Sequence, residues 1–215
     1  MTIDKLYING VDVQEEYGCW LKWRTLSTPS PKTNYIQIPG RDGDLDLTEA
    51  LGDVYYNDRN LQISLVHPSD VWYDDYEQLV SQFHGKQCQV KFGNDPDWYW
   101  TGRLNVGAYS AKDHALSIAA KVFPYKLSAS EITESVTVSG ATEETAETVT
   151  LTAGRMNVTP QAVVTGSVTL KWGSRTVALS EGTYYVSGLL LTSGENEVDV
   201  WGTGTVTFKY RNGSL

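Results

Sequence analysis

This sequence of 215 residues lacks several features that mark a secreted, membrane or disulfide-rich protein. It has only two cysteines, Cys19 and Cys88, which are too few for a disulfide scaffold or a cysteine zinc site. No apolar run approaches the roughly 18 residues that span a membrane, and the opening MTIDKLYING has no apolar segment of a secretion signal. We therefore expect a soluble protein, made in a cytoplasm, with no membrane insertion and two buried free thiols.

Positive charge is also scarce. The chain has 17 Lys and Arg against 26 Asp and Glu, a net charge of −9. Proteins that bind nucleic acid neutralise phosphates with clusters of Lys and Arg, so sequence-specific binding is not expected. An acidic surface favours solubility and repels DNA that passes close to it.

Residue patterns for catalysis are missing as well. The three histidines, His67, His84 and His114, form no pair with metal-ligand spacing. The sequence contains no nucleophile elbow, no phosphate-binding loop and no dinucleotide-binding glycine motif. His84 is placed at the end of a predicted helix, where a cation interacts well with the helix dipole. We predict that the protein is not an enzyme and has no catalytic, cofactor-binding or metal-binding residues.

One acidic cluster superficially resembles a calcium loop. Asp42, Asp44 and Asp46 occupy its positions one, three and five, and Asp53 falls at position twelve. Position six needs a glycine for its sharp turn and is Leu47, so a solvated acidic turn is the favoured interpretation. Asp42 and Asp44 also have the residue types of a glycosidase pair, which spacing alone does not support.

The composition changes near residue 128. Before it lie 18 of the 24 aromatic residues and six of the seven prolines, and after it the chain is rich in Thr, Val, Gly and Ser. We predict a first domain over residues 1–128 and a second over residues 129–215.

The first domain is predicted to be antiparallel β with one helix. Asn9-Gly10 joins two short apolar segments, 6–8 and 11–13, which is the signal of a tight hairpin. Further strands are predicted from alternation and from their flanking turns, over residues 19–24, 35–38, 61–65, 87–92, 98–106 and 115–122.

The helix is predicted over residues 69–84. Its apolar side chains recur at offsets of 4, 7, 8 and 11 from the first and form one face, namely Trp72, Tyr76, Leu79, Val80 and Phe83. Ser69 is the predicted N-cap, and Gly85 the left-handed residue that ends the helix. The acidic side chains near its positive end are Asp70, Asp74 and Asp75.

The second domain is predicted to be a β-sandwich, because many short strands are separated by Gly and Ser. The strands are expected at residues 135–138, 148–151, 162–165, 168–172, 176–179, 183–186, 189–191, 197–201 and 205–210. Turns are predicted between them, among others at Gly166-Ser167 and at residues 202–204.

Two tryptophan pairs have two interpretations. Trp98 and Trp100 alternate in a strand and therefore share a face. The favoured interpretation is a core that continues into a subunit interface. The alternative is a sugar-stacking platform in a carbohydrate-binding adhesin, formed by this pair or by Trp172 and Trp201.

The order of several motifs resembles the distal tail proteins (Dit) of long-tailed bacteriophages, the siphophages. Residues 38–49, reading IPGRDGDLDLTE, are similar to the PGRDG-x-LD-x-TE stretch of that family and precede Gly52 and the YYNDR of residues 55–59. The opening LYING, the helix near residue 75 and the FPYK of residues 123–126 are also similar. The terminal strand, followed by RNGSL, resembles the end of family members.

This resemblance implies a mainly β protein. It would have an N-terminal antiparallel belt domain with one helix and a C-terminal galectin-like β-sandwich. Six copies of the belt domain would form a ring, single or as two stacked rings, around a central channel. The protein would be the short form without an inserted carbohydrate-binding module.

The resemblance also implies a function in the virion. The ring would be the baseplate hub at the tail tip, assembled in the host cytoplasm. It would join the tail tube protein to the tail-associated lysin or tail fibre, and would contact the tape-measure protein and receptor-binding proteins. DNA would pass through the channel without sequence-specific binding.

Overall fold

The computed structural model describes residues 4–50, 52–69 and 72–215. The protein is mainly β, as predicted, and divides into two compact units, Met1–Lys126 and Leu127–Leu215. The predicted domains divide two residues later, after residue 128. No helix in the described part of the chain is long and apolar enough to cross a membrane.

The first unit contains nine strands and two helices over its described residues. The strands are β1 (Leu6–Ile8), β2 (Val11–Asp12), β3 (Trp20–Leu26), β4 (Tyr35–Ile36), β5 (Leu45–Asp46), β6 (Arg59–Val66), β7 (Gln87–Phe92), β8 (Trp98–Ser110) and β9 (Ala115–Val122). The helices are α1 (Val13–Tyr17) and α2 (Tyr73–Phe83). Seven strands form an antiparallel sheet in the order β2-β1-β7-β8-β9-β6-β3, and β4 pairs with β5 outside it.

Local signals predicted several of these elements correctly. The hairpin between β1 and β2 is confirmed, because Asn9 and Gly10 have φ angles of 50° and 84°, as its tight turn requires. The predicted strands 87–92 and 115–122 are β7 and β9. Val13 was predicted to continue the hairpin strand, but it begins α1, because the Asp12 carboxylate accepts hydrogen bonds from the amides of Gln14 and Glu15.

The predicted long helix exists as α2, with a different start. Leu79 and Phe83 are buried in the core of the sheet, and Gly85 follows with a φ of 72°, as predicted. The prediction that Ser69 caps the helix was wrong: α2 begins after Trp72, and the Ser69 amide donates to His67 Nδ1 at 3.1 Å. The predicted dipole contact of Asp70 lies outside the described residues.

The second unit is built from strands and one short 3₁₀ turn at Glu143–Thr145. Its strands are β10 (Lys126–Ser128), β11 (Ile132–Ala141), β12 (Glu147–Ala153), β13 (Gln161–Trp172), β14 (Arg175–Leu179), β15 (Gly182–Tyr185), β16 (Gly194–Tyr210) and β17 (Gly213–Ser214). The long strands β13 and β16 pair with each other along their length, and each has different partners at its two ends. β11 and β15 flank one half, and β12 and β14 flank the other.

The two halves form the two layers of a sandwich, because their inward side chains share one core. Val164 and Phe208 come from the first half, and Leu170 and Val198 from the second. The predicted β-sandwich is therefore confirmed, as one sheet folded upon itself.

The fold line of this sheet corrects two sequence predictions. Gly166-Ser167 and residues 202–204 were predicted as turns between strands. They lie inside β13 and β16, where Gly166 pairs with Gly204. The three glycines have φ angles of 85° at Gly166, 114° at Gly202 and 152° at Gly204, so the chain bends there without leaving the ladder. Four predicted strands are consequently two.

The predicted strand over residues 189–191 was also wrong. This segment makes only an isolated bridge, between Val158 and Leu191. Leu189 and Leu191 are buried in the core, so their hydrophobicity reflects packing and not strand pairing.

Candidate subunit interface

A long excursion leaves the first sheet between β3 and β6. We call residues 27–58 the arm; residue 51 lies outside its described part. Three hydrogen bonds fasten its base: Arg59 Nε donates to the Ser27 carbonyl at 2.6 Å, the Ser27 amide donates to the Asn60 carbonyl at 3.0 Å, and the Asn60 amide donates to Ser27 Oγ at 2.9 Å. The Arg59 guanidinium is buried, stacks 4.7 Å from the centre of the Trp100 ring, and has a pKa lowered by that burial. The base of the arm is therefore fixed to the core.

Backbone bonds hold the two legs of the arm together. Near the base, the Lys32 amide donates to the Tyr55 carbonyl at 2.7 Å. Farther out, the Leu47 amide donates to the Asn34 carbonyl at 2.8 Å, and β4 pairs with β5. The arm therefore runs outward and returns as a narrow antiparallel pair.

Apolar side chains on the arm are left uncovered. The exposed fractions are 56% for Tyr35, 45% for Ile36, 40% for Ile38 and 60% for Tyr55. A narrow pair of strands has no core in which to bury them, and large exposed apolar groups clustered on one segment mark an interaction surface. We expect a partner to cover them.

The arm is acidic. It carries six acidic and two basic side chains, a net charge of −4. Hydrogen bonds from Thr48, and one from Tyr35, lower the pKa of the Asp46 carboxyl. The acidic cluster around Asp42, Asp44 and Asp46 lies at the outer end of the arm, where β4 turns back to β5. Among the described residues, no group of three or more His, Cys, Asp or Glu is placed to hold a metal ion.

A second exposed feature lies at the edge of the sheet. Strand β3 is the last of the seven, so in the described part of the chain no strand pairs with its outer side. The register shifts between Leu21 and Trp23, and the Trp23 side chain is 47% exposed. An edge strand with an exposed indole is a surface that a neighbouring chain can cover.

Each of the three histidines contacts a different partner, and among the described residues they form no metal-binding group. His84 Nδ1 lies 3.2 Å from the Val106 amide nitrogen and 3.1 Å from the Val106 carbonyl oxygen, which ties the end of α2 to β8. His67 is buried, and its Nε2 lies 3.5 Å from an Asp75 carboxylate oxygen. His114 is in the turn before β9, with Nδ1 3.3 Å from the Tyr109 hydroxyl.

The tryptophan pairs do not form open platforms. Trp100 is 7% exposed and belongs to the first core, and Trp98 is partly buried with Lys126 Nζ 5.0 Å from its ring centre. Trp172 packs against the second core and donates from Nε1 to the Gly188 carbonyl at 3.0 Å. The core interpretation is therefore confirmed for Trp100, and Trp201 is likewise only partly exposed.

The sequence analysis did not predict the arm as one element. Alternation of apolar and polar residues arises where one strand face packs on a core, and the arm has none. The sequence indicates the arm only by its length. A stretch of about 30 residues with three prolines and few alternating positions is unusually long for a simple loop.

Comparison with known proteins finds this architecture in solved structures. No family model matches the chain, and no curated protein matches it. Among solved structures, the Dit protein (gp 19.1) of phage SPP1 superposes with a TM-score of 0.66 over 98% of this chain and 99% of that one, at 13% sequence identity. The chain has the Dit fold.

A second solved structure has the same architecture. A chain of the phage p2 baseplate, in its activated conformation with Sr, gives a TM-score of 0.50 over 97% of this chain and 98% of that one, at 9% identity. The SPP1 protein is described as a paradigm of the hub of the adsorption apparatus in phages that infect Gram-positive bacteria. At these identities the Dit fold is shared while most side chains differ.

Proposed function

We propose that this protein is the structural hub of a siphophage tail tip. The observation that carries the proposal is the superposition on SPP1 Dit, which spans nearly all of both chains. The order of the motifs in residues 1–126 supports it independently, because those motifs belong to the sequence and not to the fold.

In this proposal six copies form a closed ring through their first units. Closed cyclic symmetry lets each subunit use two different surfaces, one for each neighbour. The arm and the β3 edge supply surfaces of the required kind, with exposed apolar side chains on an otherwise well-packed unit. The protein is then a component of the virion and not an enzyme.

The ring joins the tail tube to the tail fibre or tail-associated lysin and contacts the tape-measure and receptor-binding proteins. DNA crosses its central channel during ejection. The net charge of −9 per subunit supports passage without adhesion, because the summed field of the ring repels phosphates.

Electron microscopy of the purified protein tests this proposal. We expect particles with six-fold symmetry and an open centre, as single rings or as two stacked rings. Compact particles without a channel would contradict the hub function.

A further inference from the structure

The first sheet has a second face, opposite to its core, that is open. The strand register places the side chains of this open face in rows across the sheet. One row is Gln87, Arg103, Lys121 and Asn60, and the next is Asn105, Ala119, Gln62 and Thr25. Apart from Arg103 and Lys121, both rows are uncharged.

The charge of the open face is opposite to that of the protein. Among the described residues of its strands, the side chains on this face include the basic residues Lys91, Arg103 and Lys121. The register also places one carboxylate there, Asp12, which lies opposite Tyr7 in the row of Lys91 and forms an ion pair with Lys5 at 2.7 Å. The whole chain has a net charge of −9. Carboxylates outnumber cations in the chain as a whole, so a sheet face on which cations predominate is a segregated charge pattern and favours an acidic partner.

The open face also has a groove. Ala119 is short and lies between longer neighbours, which leaves a depression of about 550 Å³ lined by Gln62, Arg103, Asn105 and Lys121. Its walls supply amide and cationic donors, and its floor is apolar. A groove of this kind accepts acidic and apolar side chains together.

The arm has the complementary composition. It combines exposed apolar residues, among them Tyr35 and Ile36, with a net charge of −4. Both the arm and the open face remain exposed within one chain, so neither is satisfied by the other in the same molecule.

We propose that the open face of one subunit receives the acidic arm of the next. The two surfaces differ and belong to the same chain, so the contact is head-to-tail and closes into a ring when the rotation permits. This inference rests on the proposed hub function, and it names the surface that each arm occupies.

Duplex DNA is the competing occupant of a basic face. Contact with a neighbour's arm would cover both the open face and the apolar side chains of the arm. Bound DNA would leave the apolar side chains of the arm uncovered. The negative charge of the remaining surface also opposes a polyanion.

A charge reversal tests the contact. Lys121→Glu places an acid on the open face, and we expect the protein concentration at half-assembly of the ring to rise about tenfold or more in low salt. Lys112→Glu makes the same charge change in the turn between β8 and β9, off the open face, and should leave that concentration unchanged. Adding Asp44→Lys on the arm to the Lys121→Glu chain should restore assembly.

The outcomes separate the inference from the proposed function. Rings that tolerate Lys121→Glu as well as Lys112→Glu would overturn the arm contact and leave the hub intact. Intact Lys121→Glu rings that lose affinity for a duplex DNA probe would overturn it in favour of a channel wall. A wild-type chain that forms no ring at any concentration would overturn both. Circular dichroism of each variant is the check that the fold is retained.

Discussion

Replacing Gly204 by alanine should severely destabilise the second unit. An added Cβ would lie 2.1 Å from the Thr165 carbonyl oxygen and 3.2 Å from the Gly166 Cα, both backbone atoms of the paired strand. Neither can rotate away, so β13 and β16 must separate at the bend that makes the sandwich.

The magnitude follows from two costs. The φ of 152° at Gly204 is strained for any residue with a side chain, and such strain costs about 1–3 kcal/mol. Forcing the strands apart adds overpacking of about 1–3 kcal/mol. Together we expect a loss of about 2–6 kcal/mol in the free energy of unfolding.

Gly173→Ala is the matched control. Gly173 also has a positive φ, 55°, but an added Cβ there meets nothing within 4 Å, so only a conformational cost of about 1–2 kcal/mol remains. Urea unfolding of both variants, followed by circular dichroism, measures the difference. If Gly204→Ala unfolds with the same free energy as Gly173→Ala, the folded-sheet account of the sandwich is refuted.

Four further predictions concern the first unit. Leu79→Ala should lower the free energy of unfolding by about 2–5 kcal/mol in urea, because Leu79 is fully buried between α2 and the sheet. Tyr35→Ser should change that free energy by no more than about 0.5 kcal/mol, because the tyrosine ring is exposed. It should lower the mass of the assembly in solution, because the ring lies on the arm that we propose as the subunit interface. The Cys19 thiol should react with a disulfide reagent at pH 8 only after denaturation, since burial and the nearby Asp75 carboxylate raise its pKa to about 12. In a pH titration by NMR, the Thr48 amide should shift with a midpoint below the ordinary aspartate value of about 3.9, because the folded Asp46 stays ionised to lower pH.

Controls accompany the first two of these changes. Tyr185→Ser removes a tyrosine that is 70% exposed on the second unit and should leave the mass unchanged. An equal effect of both tyrosine changes on mass would contradict the arm as the interface. Leu190→Ala, at a side chain that is 49% exposed, should cost far less than Leu79→Ala.

Local sequence patterns predicted the strands that pack one face on a core. They failed where the structure of a segment depends on its pairing with residues far away in the chain. Strands β7 and β9 alternate buried and exposed residues, so their bounds could be predicted. Gly166 and Gly204 are typical turn residues, and only their pairing across about 40 residues of chain makes them a bend inside two strands. Ser69 has the residue type of a helix cap, but its amide donates to His67 Nδ1, a contact that helix-capping patterns do not include.

The candidate interface was harder to predict than the core. The tyrosines of residues 55–56 and the acidic cluster were recognised through family resemblance, but their exposure on one arm was not. Exposure is a property of the assembled unit, because it records which side chains the fold has left without neighbours. The charge of the open face could not be predicted from the sequence either, because strand register and not composition decides which side chains share that face.

The solution mass of the purified protein tests the hub account most directly. Light scattering behind a sizing column, over a range of concentrations, should give about 143 kDa for six chains of 23.8 kDa, or about twice that for two stacked rings. A constant mass of 23.8 kDa up to the highest concentration reached, under conditions in which the chain is folded, would contradict it.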